Sequence, residues 1–175
     1  MTYPRTAVVH ATLALNIALA STTAMADCSA VIAAYKKAEA NGRYAIYDVN
    51  GLAAPAKADP FAITVGGKLW ISPMMDGKYR RNGGDQSAIE AAMLKDSEKD
   101  GKKRCEELPI KKIGEEAVTG WQIMDASKPK DPYAIHFYVS SATGLPIWHG
   151  MGSTSGFRWV YGAGVNPPAD SKIIK

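Results

Sequence analysis

His136 and His149 are the side chains best suited to acid–base chemistry or metal ligation, since an imidazole titrates near neutral pH and offers a nitrogen lone pair. Either role needs a carboxylate or further ligands close by, and neither H-x-x-H nor H-E-x-x-H spacing occurs. If both lie on strands, His136 shares a face with Ala134 and Tyr138, and His149 shares one with Leu145, Ile147 and Met151. Both are therefore expected to be structural. Glu106-Glu107 and Glu115-Glu116 are adjacent pairs, which a strand sends to opposite faces, so they are expected as solvated charges. The loop Gly150-Met151-Gly152-Ser153-Thr154-Ser155-Gly156 has G-x-G-x-x-x-G spacing between two strands, where a dinucleotide fingerprint needs G-x-G-x-x-G before a helix. Thr154 stands where a nucleophile elbow would carry serine. No catalytic residue, metal or cofactor is expected from these patterns.

Cys28 and Cys105 are the only cysteines, and they follow an export signal. The first 26 residues carry Arg5, an apolar stretch over 11–20 and the A-x-A site Ala24-Met25-Ala26 before Asp27. That pattern reads as a cleaved signal peptide leading to the periplasm. In an oxidising space the two cysteines are expected to form one disulfide, which spans 77 positions. Closing a loop of that size is worth roughly 4.5 kcal/mol on chain-entropy grounds.

The aromatic residues form the third group. Trp70, Trp121, Phe137, Trp148, Phe157, Trp159 and Tyr161 all fall on expected strands. Facing inward they make either a plain core or the walls of a cavity lined also by Ile63, Ile135 and Met151. Both readings stay open at this level.

The elements that must position these groups come from periodicity and turns. The chain has 175 residues, 46% hydrophobic and 22% charged, with 21 Lys+Arg against 17 Asp+Glu. That is the profile of one globular domain, long enough for a real core. Its basic residues are scattered, which argues against a nucleic-acid partner. No apolar run is long enough to span a membrane, and a monomer is expected.

Cys28, Val31, Ile32 and Tyr35 have i, i+3, i+4, i+7 spacing, predicting a helix over 27–40 that stops at Asn41-Gly42. Asn-Gly recurs at 50–51 and 82–83, and Gly66-Gly67 separates two apolar runs, predicting a meander of antiparallel strands. Pairing across Gly66-Gly67 puts Phe61, Ile63, Val65 and Trp70 on one face and Ala62, Thr64, Leu69 and Ile71 on the other. Both faces are partly apolar, so something must cover or occupy the second. Ser87-Ala88-Ile89-Glu90 matches a capping box for a second helix ending near Asp100, with Ile89, Ala92 and Met93 inward. Beyond Cys105, residues 113–119 and 121–126 are expected as a hairpin about Thr119-Gly120, followed by strands over 133–139, 145–151 and 157–161. Two helices and about eight strands make one α+β domain over 27–168, with 169–175 as a frayed tail.

Cys105, Ile113-Gly114-Glu115-Glu116, Val118-Thr119-Gly120, Phe137-Tyr138-Val139-Ser140, Thr143-Gly144-Leu145-Pro146, residues 158–161 and Pro167 together resemble the periplasmic LolA-like and LolB-like lipoprotein carrier superfamily. Leu69-Trp70-Ile71 and Asp76-Gly77-Lys78-Tyr79 match the way those proteins write a strand and hairpin. The resemblance implies a strongly curved, unclosed antiparallel half-barrel that wraps helices and encloses an apolar cavity for acyl chains. It carries over no transporter partnership, and a disulfide between Cys28 and Cys105 looks like that of a divergent branch. The function this implies is periplasmic, non-enzymatic binding of a lipid or other hydrophobic ligand. A protein-interaction module or inhibitor in the envelope, with a collapsed cavity, is the alternative. A small hydrolase using His136 or His149 is a third reading.

Overall fold

The computed structural model describes residues 27–52, 59–110, 112–128 and 130–174, so the expected signal peptide lies outside the described residues. Helix α1 (Ser29–Asn41) buries Val31, Ile32, Ala34, Tyr35 and Ala38. Gly42 ends it in the left-handed conformation, φ 64°, where its N–H donates to Ala38 O at 3.1 Å. Strand β1 (Arg43–Asn50) follows directly, then β2 (Ala62–Val65), β3 (Lys68–Ile71) and β4 (Arg80–Asn82). The β2–β3 turn is Gly66-Gly67, both at positive φ, as its sequence requires.

Helix α2 (Gln86–Lys99) then carries the chain to β5 (Lys103–Leu108) at the opposite edge. The chain returns through β6 (Lys112–Ile113), β7 (Glu116–Asp125), β8 (Ile135–Ser140), β9 (Pro146–Met151) and β10 (Ser155–Tyr161). The result is one unclosed antiparallel sheet in the order β4-β3-β2-β1-β10-β9-β8-β7-β5, with β6 paired to β7. The fold is α+β, a curved sheet around two helices. Cys28 and Cys105 form a disulfide with Cα atoms 5.0 Å apart, tying the start of α1 to the edge strand β5. The backbone N–H of Cys28 also donates to Glu98 of α2. Among the described residues no helix is long and apolar enough to cross a membrane.

The main core lies on the inner face, where α1 and the Ala91 and Leu94 side of α2 meet Tyr44, Ile46, Ala62, Leu69, Ile123, Phe137 and Trp159. Each such large side chain contributes roughly 1.5–3 kcal/mol by leaving water. The outer face carries two further clusters. Ala45, Ile63, Trp70 and Tyr79 pack with Val165 and Ile173 from the C-terminal segment. Val49, Val118, Tyr138, Ile147 and Trp148 pack with Leu108, Ile110 and Ile113. The second apolar face of the Gly66-Gly67 hairpin is therefore covered by the chain's own C-terminus.

Several local expectations change. Residues 169–174, expected as a frayed tail, instead dock on the sheet. A short 3-10 turn (Asp170–Lys172) leads to Ile173, and the N–H of Tyr79 donates to Lys172 O at 2.7 Å while that of Ile174 donates to Tyr79 O at 2.8 Å. Thr119-Gly120 makes no turn, since β7 runs through it. The turn is Gly114-Glu115, between paired Ile113 and Glu116. Gly120 is required for close approach, because a Cβ there would sit 2.8 Å from the Tyr138 ring. The α2 cap is Asp85, whose carboxylate accepts from the N–H groups of Ser87 and Ala88, so Ser87 is already inside the helix. The register moves with it. Ser87, Ala91 and Leu94 are buried, whereas Ile89, Ala92 and Met93 are exposed. Phe61 lies before β2 and packs into the inner core rather than beside Ile63.

Candidate functional site

A cleft of about 500 Å³ opens on the inner face, between α2 and strands β1, β10, β9, β8 and β7. Strand pairing explains its floor. Phe157 pairs with both Asp48 and His149, and His149 pairs with Phe137, so one inner-facing row runs Asp48, Phe157, His149, Phe137. The next row runs Ile123, Ile135, Met151, Ser155. Helix α1 covers the strands beyond the first row, with Tyr35 4.8 Å from the Phe137 ring and 6.0 Å from Trp159. The second row lies past that cover. Its Ile135 and Met151 are 37% and 55% exposed, and Met93 of α2 faces the same opening at 62%.

The polar groups of the cleft are few. His149 Nδ1 accepts a hydrogen bond from Trp159 Nε1–H at 3.0 Å, and its ring packs against Phe157 at 5.2 Å. Burial pushes this imidazole down to about 4, so it is neutral near pH 7. Glu90 sits on the α2 side and accepts from Gln86 Nε2 at 2.9 Å. Burial raises its carboxyl above the ordinary range, and the Gln86 bond only partly offsets that. Burial first, and then Glu90, raise the Tyr35 phenol. Asp48 and Lys103 complete the charged lining.

The ten residues expected as core or cavity wall divide three ways. Ile135, Met151 and Phe157 line the cleft. Trp121, Phe137, Trp159 and Tyr161 lie on the same face but pack into the inner core. Ile63, Trp70 and Trp148 are corrected: they lie on the outer face, in the two clusters covered by other parts of the chain. Trp148 alternates with His149 and Met151 along β9 and so turns away from the cleft, and a β-bulge lies just before it. Tyr138 pairs with Trp148 but Val139 pairs with Pro146, which leaves Ile147 as the extra residue. The bulge also separates Ile147, on the outer face, from His149 and Met151 at the cleft.

His136 and His149 lie on opposite faces. His136 faces outward, within 3.3 Å of Tyr138 Oη, and does not reach the cleft. Among the described residues no group of three His, Cys, Asp or Glu side chains is placed to hold a metal ion. No protein-family model and no curated protein matches this chain.

Sequence reasoning missed Asp48 and Glu90. Asp48 had a legible signal, because Tyr44, Ile46 and Asp48 alternate along one strand face and put a carboxylate where the pattern calls for an apolar residue. Glu90 was hidden by its fit to a capping box, a role that Asp85 makes unnecessary.

Proposed function

We propose that the protein is a non-enzymatic periplasmic binder that holds an acyl chain or other apolar small molecule in the cleft between α2 and the inner face of the sheet. The observation carrying this reading is the opening itself. Met93, Ile135 and Met151 stay exposed around one cleft of about 500 Å³, within the size range of small-molecule sites. A lining of Tyr35, Leu94, Ile123 and Phe157 with few polar groups suits a hydrocarbon. Membership of the lipoprotein carrier superfamily belongs to the same proposal, supported by the curved sheet around two helices and by the turn residues that the sequence shares with it. Export is supported by the A-x-A site and by the disulfide.

Native mass spectrometry of protein purified from periplasmic extract tests the reading. A bound species of lipid mass, or uptake of a fatty-acyl probe at one molecule per chain, is the expected result. Empty protein that takes up no probe overturns it. Recovery of a stoichiometric protein seated on the same apolar rim would replace it with the envelope-interaction alternative.

A further inference from the structure

The cleft holds one polar group whose hydrogen-bonding state is fixed from behind. An indole N–H only donates, so the 3.0 Å bond from Trp159 Nε1 requires His149 Nδ1 to be an unprotonated acceptor. A neutral imidazole then carries its proton on Nε2. That N–H has no partner among the described residues, although His149 lines the cleft. The tautomer also argues against a metal at this ring, because Nε2 would have to give up its proton or break the Trp159 bond. Soft ligation by Met93 and Met151 around the same mouth therefore lacks its nitrogen ligand.

From this geometry, and resting on the reading of the cleft as an apolar-ligand site, we infer that the ligand carries an uncharged hydrogen-bond acceptor, an ester or amide carbonyl, bound by His149 Nε2–H. The neighbouring charges disfavour a free carboxylate in that place. Asp48 lies two strands from His149 in the same inward row, and Glu90 faces the cleft from α2. Lys103, the cleft's cation, is on the edge strand β5, three strands from β9. Burial keeps the imidazole neutral, so it offers a fixed dipole rather than a charge for an anion.

Methyl decanoate, decanoate and decane are matched probes whose ten-carbon chains fit the volume. Nitrogen-detected histidine spectra of the full protein should place the His149 proton on Nε2, and that resonance should move when methyl decanoate binds and stay when decane binds. In Nile red displacement, the preference for methyl decanoate over decane should fall about fivefold in His149→Phe, the size expected for one net hydrogen bond. Decanoate should bind more weakly than its ester. A proton on Nδ1, an Nε2 resonance unmoved by bound ester, or decanoate binding more tightly than the ester would overturn the inference, even if the variant does not fold. Binding of the chains with Nε2 unmoved removes the head-group assignment alone. Failure of Nile red and every probe to bind removes the ligand reading and the head group with it.

Discussion

On its outer face the sheet buries Trp70 and Tyr79 beneath Val165 and Ile173, and Tyr138 and Trp148 beside Ile147 and Ile113. On its inner face Phe137 and Trp159 lie beneath α1, while Ile135 and Met151, one row further along, remain exposed. Both faces are apolar, and the difference lies in what the chain brings to cover them. The C-terminal segment reaches back to Tyr79 and closes the outer side. Helix α1 lays Tyr35 on Phe137 and Trp159, and α2 turns Leu94 into the core and Met93 toward the opening, so the inner side is left open at the Met151 end. An apolar residue on a strand is therefore not a sign of a cavity until its cover is known.

The comparison breaks most readily at the covered inner row. Trp159→Ala should cost about 3–5 kcal/mol in urea unfolding, whereas Met151→Ala at the mouth should cost less than about 1 kcal/mol and weaken acyl-probe uptake instead. Equal losses would mean that the mouth is core and the cleft incidental. Reduction of Cys28–Cys105 should cost about 2–5 kcal/mol by the same measurement, since it releases the staple between α1 and β5. An unchanged midpoint after confirmed reduction would show that the packing of α1 alone holds the inner cover.

His149 gives the next effect. Its folded value of about 4 lies below the ordinary 6.5, so the unfolded chain takes up the proton first. Its contribution is fully present above pH 6.5 and is lost as pH falls toward 4, on the order of 3 kcal/mol. Glu90, raised by burial, acts oppositely and costs stability as pH rises through the carboxylate range. The stability of wild type relative to His149→Phe should therefore decline between pH 6.5 and 4, and parallel profiles would place this ring in water. The smallest effect belongs to the outer cover. Removal of residues 170–175 should cost about 1–2 kcal/mol and red-shift tryptophan emission as Trp70 meets solvent, without reducing probe uptake at the inner cleft.

Much of the architecture was legible locally. Val31, Ile32 and Tyr35 marked α1, Asn41-Gly42 its end, Gly66-Gly67 the first hairpin, and Cys28 with Cys105 the staple. The helix and turn signals are written in backbone chemistry and short-range spacing, which do not depend on distant contacts, while the staple was legible because the chain has two cysteines and one way to pair them. The candidate site was only partly legible. Ile135, Met151 and Phe157 were anticipated, but Ile63, Trp70 and Trp148 belong to the other face, and the bulge at Ile147 changed the parity of β9 without a residue to announce it.

The sequence by itself determined two helices, a meander of antiparallel strands, an expected disulfide and an excess of apolar strand faces. Only the tertiary structure decided which face is closed and which stays open. Closure depends on segments far apart in the chain, the C-terminus on Tyr79 and α2 across the strands of the cleft. It likewise set the hydrogen-bonding state of His149, because the indole that fixes it arrives from a neighbouring strand, ten residues away.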